Sequence, residues 1–197
     1  MSGASAVESV AWNNPIDTGK LPENGASFDT IVVGGGPGGA SAAGYLAMGG
    51  QRVLLIEKDI WPRDKICGDA VGGKSLSHVQ RLGVKEHLEQ TPHFRVTGIL
   101  FSSPKGHEVR VALPEEDVAR LEAGYALPRE QFDTLLFREV QSTVRKAGGA
   151  VIQGGDVRQV LYDDGNGGED PGPKSGDARY GSGVVVRIGG RGGEELT

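Results

Sequence analysis

The chain has 197 residues, which is enough for one sizeable domain or one and a half small ones. A net charge of −5 without a basic stripe argues against nucleic-acid binding. One cysteine excludes an intramolecular disulfide framework, and the four histidines lack the spacing of metal ligands, so we expect no metal site.

The N-terminal residues 1–27 are small and polar, with Pro15 and Pro22 among them, and they predict a disordered leader. The basic and apolar regions of a signal peptide are absent from this stretch. No apolar run in the sequence approaches the length of a membrane span. We therefore expect a soluble, cytoplasmic protein whose contact with a membrane is peripheral at most.

A strand, a glycine turn, a helix and a second strand follow in one unit of about 30 residues. Phe28–Val33 is predicted as a buried strand, and Gly38–Met48 as its helix, which stops at a pair of glycines. Arg52–Glu57 is predicted as a second, parallel strand reached by a right-handed crossover. This order is typical of a dinucleotide-binding βαβ unit.

The glycines of the turn match the pattern G-x-G-x-x-G at Gly34, Gly36 and Gly39. The first allows the tight turn, the second lets backbone approach phosphates, and the third lets the helix pack closely on the strand. The helix N-terminus offers N–H groups to an anion, and Glu57 is placed to accept hydrogen bonds from a ribose diol. An ordinary βα connection is the alternative, but the whole unit favours a dinucleotide site.

The middle of the chain departs from the βαβ pattern. Ile60–Gly73 is rich in proline, glycine and charge and predicts a loop, while Lys74–Leu82 has the apolar spacing of a helix. Arg95–Ser102 and His107–Leu113 predict two strands around a turn. This hairpin indicates a second, antiparallel sheet.

The βαβ pattern resumes with a helix that is predicted to begin at Pro128. Ala150–Gln153 is then predicted to return to the parallel sheet. Val157–Tyr162 and Val184–Ile188 predict further strands, and the glycine- and proline-rich stretch Asp163–Gly183 between them is predicted as a loose excursion.

Two further segments carry a family resemblance. They are Pro62–Ala70, with the sequence PRDKICGDA, and Leu127–Asp133, with the sequence LPREQFD. Together with the glycine turn and Glu57, they resemble the geranylgeranyl reductase family of flavoproteins, which includes archaeal digeranylgeranylglycerophospholipid reductases and bacterial menaquinone reductases. The resemblance runs from Phe28 to Thr197, and the P-x-x-K-x-C-G segment is its most specific part.

The resemblance implies an FAD-dependent oxidoreductase that reduces C=C bonds of an isoprenoid lipid or quinone side chain by hydride from reduced FAD. NADPH or a ferredoxin-like donor would reduce the flavin. The resemblance implies that Gly34, Gly36 and Gly39 bind the pyrophosphate of the cofactor and that Glu57 binds its ribose. It also implies that the flavin is lined by Cys67, Gly68 and Ala70, that Arg129 contacts the cofactor, and that the backbone of Val157 contacts the adenine. Cys67 is the candidate for direct chemistry.

The implied fold is α/β, an FAD-binding Rossmann-like parallel sheet of the glutathione-reductase type with an inserted antiparallel hairpin from a truncated substrate domain. The corresponding domains are a leader (1–27), the first part of the FAD-binding domain (28–94), the hairpin of a partial substrate domain (95–127), and the continued, truncated FAD-binding domain (128–197).

Cys67 and Arg129 also have simpler interpretations. A lone cysteine is more often a small buried hydrophobic residue than a reactive thiol, although nearby basic residues favour the thiolate. An arginine near a helix start is unfavourable for the helix dipole, which a bound anion would explain. A solvated arginine paired with Glu130 or Asp133 explains the same position equally well.

The family pattern continues beyond the last residue of this chain. We expect a downstream segment or a second chain to supply another parallel strand, a second glycine–aspartate motif and most of the substrate domain. Three functions therefore stay open: a prenyl reductase, a flavin-dependent monooxygenase or halogenase, and an inactive flavin-binding fragment.

Overall fold

The computed structural model describes residues 12–23, 25–66, 69–119, 124–163, 169–170, 184–190 and 195–196. In these residues the helices are α1 (Pro37–Met48), α2 (Ser75–Arg81), α3 (Lys85–Gln90), α4 (Glu115–Ala119) and α5 (Arg129–Lys146). The strands are β1 (Thr30–Val33), β2 (Val53–Glu57), β3 (Ala70–Val71), β4 (Phe94–Arg95), β5 (Gly98–Ser102), β6 (Glu108–Ala112), β7 (Tyr125–Ala126), β8 (Ala150–Gln153), β9 (Gly155–Asp163), β10 (Glu169–Asp170), β11 (Val184–Gly190) and β12 (Glu195–Leu196).

The chain forms two compact units. One contains Ile16–Trp61 and Val140–Thr197, and we call it the glycine-loop unit. The other contains Met1–Pro15 and Pro62–Glu139, and we call it the hairpin unit.

A three-stranded parallel sheet in the order β1-β2-β8 forms the core of the glycine-loop unit. All five residues of β2 are buried, and a strand covered on both faces needs apolar side chains throughout, which explains the apolar run before Glu57. Leu54, Ile56 and Ile152 pack together here, and each such buried side chain contributes about 1.5–3 kcal/mol. The predicted βαβ unit and the return of residues 150–153 to its sheet are confirmed.

Helix α1 connects β1 to β2 and turns its small residues towards the sheet. Ala40, Ala43 and Ala47 are buried, so the helix and strands pack closely. The helix ends at the predicted pair of glycines. Gly50 has a φ of 85° and donates its N–H to the Ala47 carbonyl over 2.9 Å, which satisfies one of the carbonyls left at the helix end.

Residues 16–19 run along the outer edge of β8, and we call this segment the strap. The Gln153 N–H donates to the Thr18 carbonyl oxygen over 2.9 Å. Gly19 has a φ of 78°, and a Cβ there would lie 1.9 Å from the Val151 carbonyl oxygen, so glycine is needed for this close approach. The prediction of a disordered leader is wrong for the strap, because an edge strand offers unpaired backbone groups to such a segment.

Side chains also hold the strap. Ile16 is buried, and the Asp17 carboxylate accepts a hydrogen bond from the Gly19 N–H and forms an ion pair with Arg145, each over 2.9 Å. The Gly19 N–H and, next, the Arg145 guanidinium hold the pKa of Asp17 below its ordinary value. Residues 1–11, which belong to the same predicted leader, lie outside the described residues.

A second sheet of the glycine-loop unit is antiparallel, in the order β10-β9-β11-β12. The pairing of β9 with β11 confirms the strands predicted at 157–162 and 184–188. The loose excursion predicted between them contains β10, while residues 164–168 and 171–183 lie outside the described part of the chain.

In the hairpin unit, β5 and β6 pair as the predicted antiparallel hairpin. Ile99 lies opposite Val111 and Phe101 opposite Val109, so these four apolar side chains share one face of the ribbon. All four are exposed.

Another small sheet of the hairpin unit has the order β3-β7-β4. The loop predicted at Ile60–Gly73 is therefore wrong in part, because it contains β3. These strands are two residues long and pair across large sequence separations, so no local periodicity marks them. The unit extends from Pro62 to Glu139, beyond the insertion predicted at 95–127. Among the helices that the structure describes, none is both long and apolar enough to cross a lipid bilayer.

Candidate nucleotide-binding site

The glycine loop between β1 and α1 has a backbone that other residues could not follow. Gly34 has a φ of 98°, a conformation that residues with a side chain rarely adopt, and its N–H donates to the Ile56 carbonyl over 2.7 Å. A Cβ on Gly39 would lie 1.9 Å from the Gly34 carbonyl oxygen. The first and third glycines of the motif thus have the geometry that a tight turn and close helix packing require.

The N-terminus of α1 is suited to an anion. Gly36 is its N-cap, with extended backbone (φ −64°, ψ 176°) and no side-chain hydrogen bond to the first turn. Pro37 follows at the first helical position, and the first turn of this fully described helix contains no acidic residue. The remaining N–H groups of the turn therefore point out of the helix with the positive end of its dipole, which is how helix ends bind phosphates.

Glu57 ends β2 beside this loop and is buried, with 4% of its surface exposed. One carboxylate oxygen accepts the Gly35 N–H over 2.6 Å, and the other accepts the Asp59 N–H over 2.9 Å. A carboxylate has about four acceptor positions, so it can accept more than two hydrogen bonds. Glu57 thus holds the glycine loop and the following turn together, and its contact with a ribose stays a prediction.

Val157 lies in β9, where it pairs with Ile188, and its side chain packs against the core around Leu54 and Ile152. The structure thus places Val157 in the same unit as the glycine loop and Glu57. Its contact with an adenine through the backbone stays a prediction.

In the hairpin unit, the structure brings together the two segments that carry the family resemblance. Ala70 pairs with Ala126, and the Leu127 N–H donates to the Asp69 carbonyl over 2.9 Å. The Asp69 carboxylate accepts the Arg129 N–H over 3.3 Å at the start of α5. Asp69 is a functional candidate that sequence reasoning missed, although it stands inside the quoted PRDKICGDA segment.

Arg129 is held by Asp133, one helical turn later. The guanidinium donates two hydrogen bonds to the carboxylate, over 2.8 and 2.9 Å, and the side chains are 13% and 1% exposed. The pairing with Asp133 considered from the sequence is therefore present, but Asp133 is buried and Arg129 is partly buried, so the pair is not fully solvated. A partly buried arginine in one fixed orientation is compatible with binding an anion, and the contact of Arg129 with the cofactor stays a prediction.

Cys67 and Gly68 lie outside the described residues. Their predicted places beside the flavin, and the candidate chemistry of Cys67, stay predictions. Gln153 is a second residue that sequence reasoning missed. A polar residue at the carboxyl end of a buried parallel strand was the available signal, because ligands bind at that edge of such sheets.

Comparison with known proteins identifies the fold and the cofactor. Residues 27–166 match the family described as FAD binding domain. The chain is 36% identical to the menaquinone reductase of Mycobacterium tuberculosis over 137 residues, which are 70% of this chain and 31% of that protein. It is 37% identical to digeranylgeranylglycerophospholipid reductase 2 of Methanococcoides burtonii over 116 residues, which are 57% of this chain and 26% of that protein. The chain therefore spans about a third or less of the length of these curated relatives.

Among solved structures, the chain resembles a myxobacterial chondrochloren halogenase of the FAD-dependent type. The TM-score is 0.65 at 26% identity, and the match covers 86% of this chain and 34% of that one. The FAD-binding Rossmann-like fold and the resemblance to geranylgeranyl and menaquinone reductases are confirmed.

Proposed function

Because this chain belongs to the FAD binding domain family, we propose that it forms the adenosine-binding part of an FAD-dependent reductase of isoprenoid C=C bonds. The substrate would be a prenyl lipid or the side chain of a quinone. The observation that carries this proposal is the similarity to two reductases, one named for menaquinone and the other for a digeranylgeranyl lipid. Bound FAD, once reduced, supplies the hydride for such bonds.

The residues of the glycine-loop unit would bind the adenosine end of the cofactor. Gly34 and Gly39 keep the loop compact, so that backbone rather than side chain faces the pyrophosphate. The N-terminus of α1 would balance the phosphate charge. Glu57 would accept hydrogen bonds from the ribose, and the backbone of Val157 would meet the adenine.

The residues of the hairpin unit would act on the flavin side. Arg129 would offer its positive charge to the cofactor, and Asp133 would keep the guanidinium in one orientation. Ala70 would line the flavin pocket together with Cys67 and Gly68. Asp69 would hold this segment against the start of α5 through the Arg129 N–H.

The proposed reductant is NADPH or a ferredoxin-like protein. The parts of the fold that the relatives carry in addition would come from a downstream segment or a second chain. Peripheral contact with a membrane would give the completed enzyme access to prenyl substrates.

A flavin-dependent monooxygenase or halogenase is the second candidate, and the likeness to the chondrochloren halogenase favours it. A flavin-binding module without activity is the third, because the adenosine site proposed above could bind the cofactor without any turnover. All three candidate functions use the same adenosine site. They differ in the reaction that the bound flavin carries out, which for the third candidate is none.

FAD binding is tested by titrating the chain with FAD and following flavin fluorescence, for the wild type and for Gly36→Val. A side chain at residue 36 would separate the backbone from the pyrophosphate, so we expect at least about a tenfold loss of affinity. Full flavin occupancy in the variant would remove this loop from the assignment.

The reaction is tested by supplying reduced FAD and a geranylgeranyl-bearing lipid or menaquinone under anaerobic conditions. Mass spectrometry that shows hydrogen added across the side-chain double bonds supports the reductase. In a parallel assay with oxygen present, oxygen consumption with a hydroxylated or halogenated product supports the second candidate. Flavin binding without turnover of any substrate supports the third.

A further inference from the structure

A buried glutamine, Gln153, connects the strap to the turn that follows Glu57. Its Nε2 donates to the carbonyl oxygens of Asp17 over 3.0 Å and Ile16 over 3.4 Å, and its Oε1 accepts the Trp61 N–H over 2.7 Å. We propose that Gln153 is a positioning residue of the nucleotide site. The strap orients the Gln153 side chain, and Gln153 in turn holds the Glu57 carboxylate in the position from which it binds the ribose. This inference rests on the proposed binding of FAD.

An amide side chain is the one that satisfies both ends of this network. The strap carbonyls need a donor and the Trp61 N–H needs an acceptor, so the partners determine which way the Gln153 amide points. A glutamate could accept from Trp61 but would set a negative charge against two carbonyl oxygens. Because Gln153 is only 6% exposed, water does not readily replace a lost partner.

The network reaches Glu57 by two routes. Across the sheet, Glu57 and Gln153 are register partners at the carboxyl ends of β2 and β8. Along the chain, the turn after Glu57 is held at Asp59 by the Glu57 carboxylate and at Trp61 by Gln153. The same carboxylate also binds the Gly35 N–H, so a movement of this turn would shift the acid relative to the glycine loop.

The test compares ADP with 2′-deoxy-ADP, because only ADP offers the ribose 2′-hydroxyl to Glu57. Calorimetric titration of the 197-residue chain gives both dissociation constants. We expect the wild type to prefer ADP by about tenfold, the effect of a hydrogen bond to a charged group, and Gln153→Glu to lose most of this preference. If Gln153 only stabilised the fold, the substitution would weaken the binding of both nucleotides equally and leave the ratio of their dissociation constants unchanged.

Two further variants separate the network from the stability of the unit. Gln141 also donates to the Asp17 carbonyl, over 2.7 Å, but does not bind the turn, so Gln141→Leu should keep the ratio of the wild type. Gly19→Ala would push the strap away from β8 without changing Gln153 itself, so it should lower the ratio as Gln153→Glu does. It also keeps the proposal testable if Gln153→Glu does not fold.

The proposal would be overturned if folded Gln153→Glu or Gly19→Ala kept the preference of the wild type for ADP over 2′-deoxy-ADP. It would also be overturned if Gln141→Leu lost this preference to the same extent as Gln153→Glu. If the wild type binds neither ADP nor FAD, the proposed function itself fails, and the inference fails with it. Binding of ADP without preference over 2′-deoxy-ADP overturns the inference alone.

Discussion

Single residues of the glycine loop tolerate little change, and the reason differs from one glycine to the next. Gly34 is needed for its positive φ, whereas Gly39 is needed because the Gly34 carbonyl occupies the place of a Cβ. Gly38 has open space around it. The motif is therefore a set of separate steric requirements, and each can be tested by itself.

Replacement of Gly39 by alanine should destabilise the fold by about 1–3 kcal/mol, because helix and strand must move apart to admit the methyl group. Gly38→Ala is the matched control, and a helical alanine there should leave the stability unchanged or raise it by up to about 1 kcal/mol. Urea unfolding measures both. Equal effects of the two substitutions would contradict the steric role of Gly39.

Tyr125 should make the stability of the hairpin unit sensitive to alkaline pH. Burial and, next, the Glu89 carboxylate raise the pKa of Tyr125 from 10.0 to about 12. Between these pH values the unfolded chain loses a proton that the folded chain keeps, so the free energy of unfolding falls as the pH rises. Tyr125→Phe removes this titration, and its free energy of unfolding should fall less steeply over that range. Parallel pH dependences of the two proteins would contradict the prediction.

Among the elements, helix α5 joins segments that are distant in the sequence. Asp69 accepts a hydrogen bond from the backbone at its first residue, and Arg129 and Asp133 pair along its first turns. Both charged side chains have lost most of their water, so each depends on the other. The start of α5 is therefore determined by electrostatics as much as by its apolar face.

Substitution of Asp133 by asparagine should destabilise the protein by about 3–5 kcal/mol, because it removes the buried carboxylate that pairs with the partly buried Arg129 guanidinium. The exposed pair of Asp156 and Arg158 provides the control, and Asp156→Asn should cost about 0–1 kcal/mol. Chemical denaturation compares the two variants. A similar loss of free energy of unfolding in both variants would contradict the prediction that the Arg129–Asp133 pair stabilises the protein more than the exposed pair.

On the scale of the whole molecule, the two compact units divide the predicted contacts between them. The residues predicted to meet the adenosine and pyrophosphate lie in the glycine-loop unit: Gly34, Gly36, Gly39, Glu57 and Val157. Arg129 and Ala70, predicted to meet the cofactor elsewhere, lie in the hairpin unit. A ligand that contains only the adenosine and phosphates should therefore act on one unit.

Saturating ADP should slow hydrogen exchange at the glycine loop and in β2, because a ligand that binds only the folded state reduces local opening around its site. Peptides from the exposed hairpin of β5 and β6 serve as the internal control and should exchange at the same rate with and without ADP. Hydrogen–deuterium exchange followed by mass spectrometry measures both regions. Equal protection of the hairpin would contradict an adenosine site confined to the glycine-loop unit.

The βαβ unit, the positions of its glycines and Glu57, the β5–β6 hairpin and helix α5 could all be predicted from the amino-acid sequence. These features are encoded within short windows, since apolar periodicity, glycine spacing and turn residues act between near neighbours in the chain. The same local signals supported the FAD-binding family that the comparisons then confirmed.

The contributions of the strap, Gln153, Asp69 and the three-stranded sheet of β3, β7 and β4 depend on contacts between distant parts of the chain and could not be predicted in this way. The hydrogen bond from Gln153 to Ile16 spans 137 residues and that from Arg129 to Asp69 spans 60 residues. No periodic pattern links residues so far apart, because their contact depends on where the intervening elements pack. The strap has no apolar periodicity, so its sequence predicts disorder, but in the structure it lies along the edge of β8 and accepts a hydrogen bond from the Gln153 N–H.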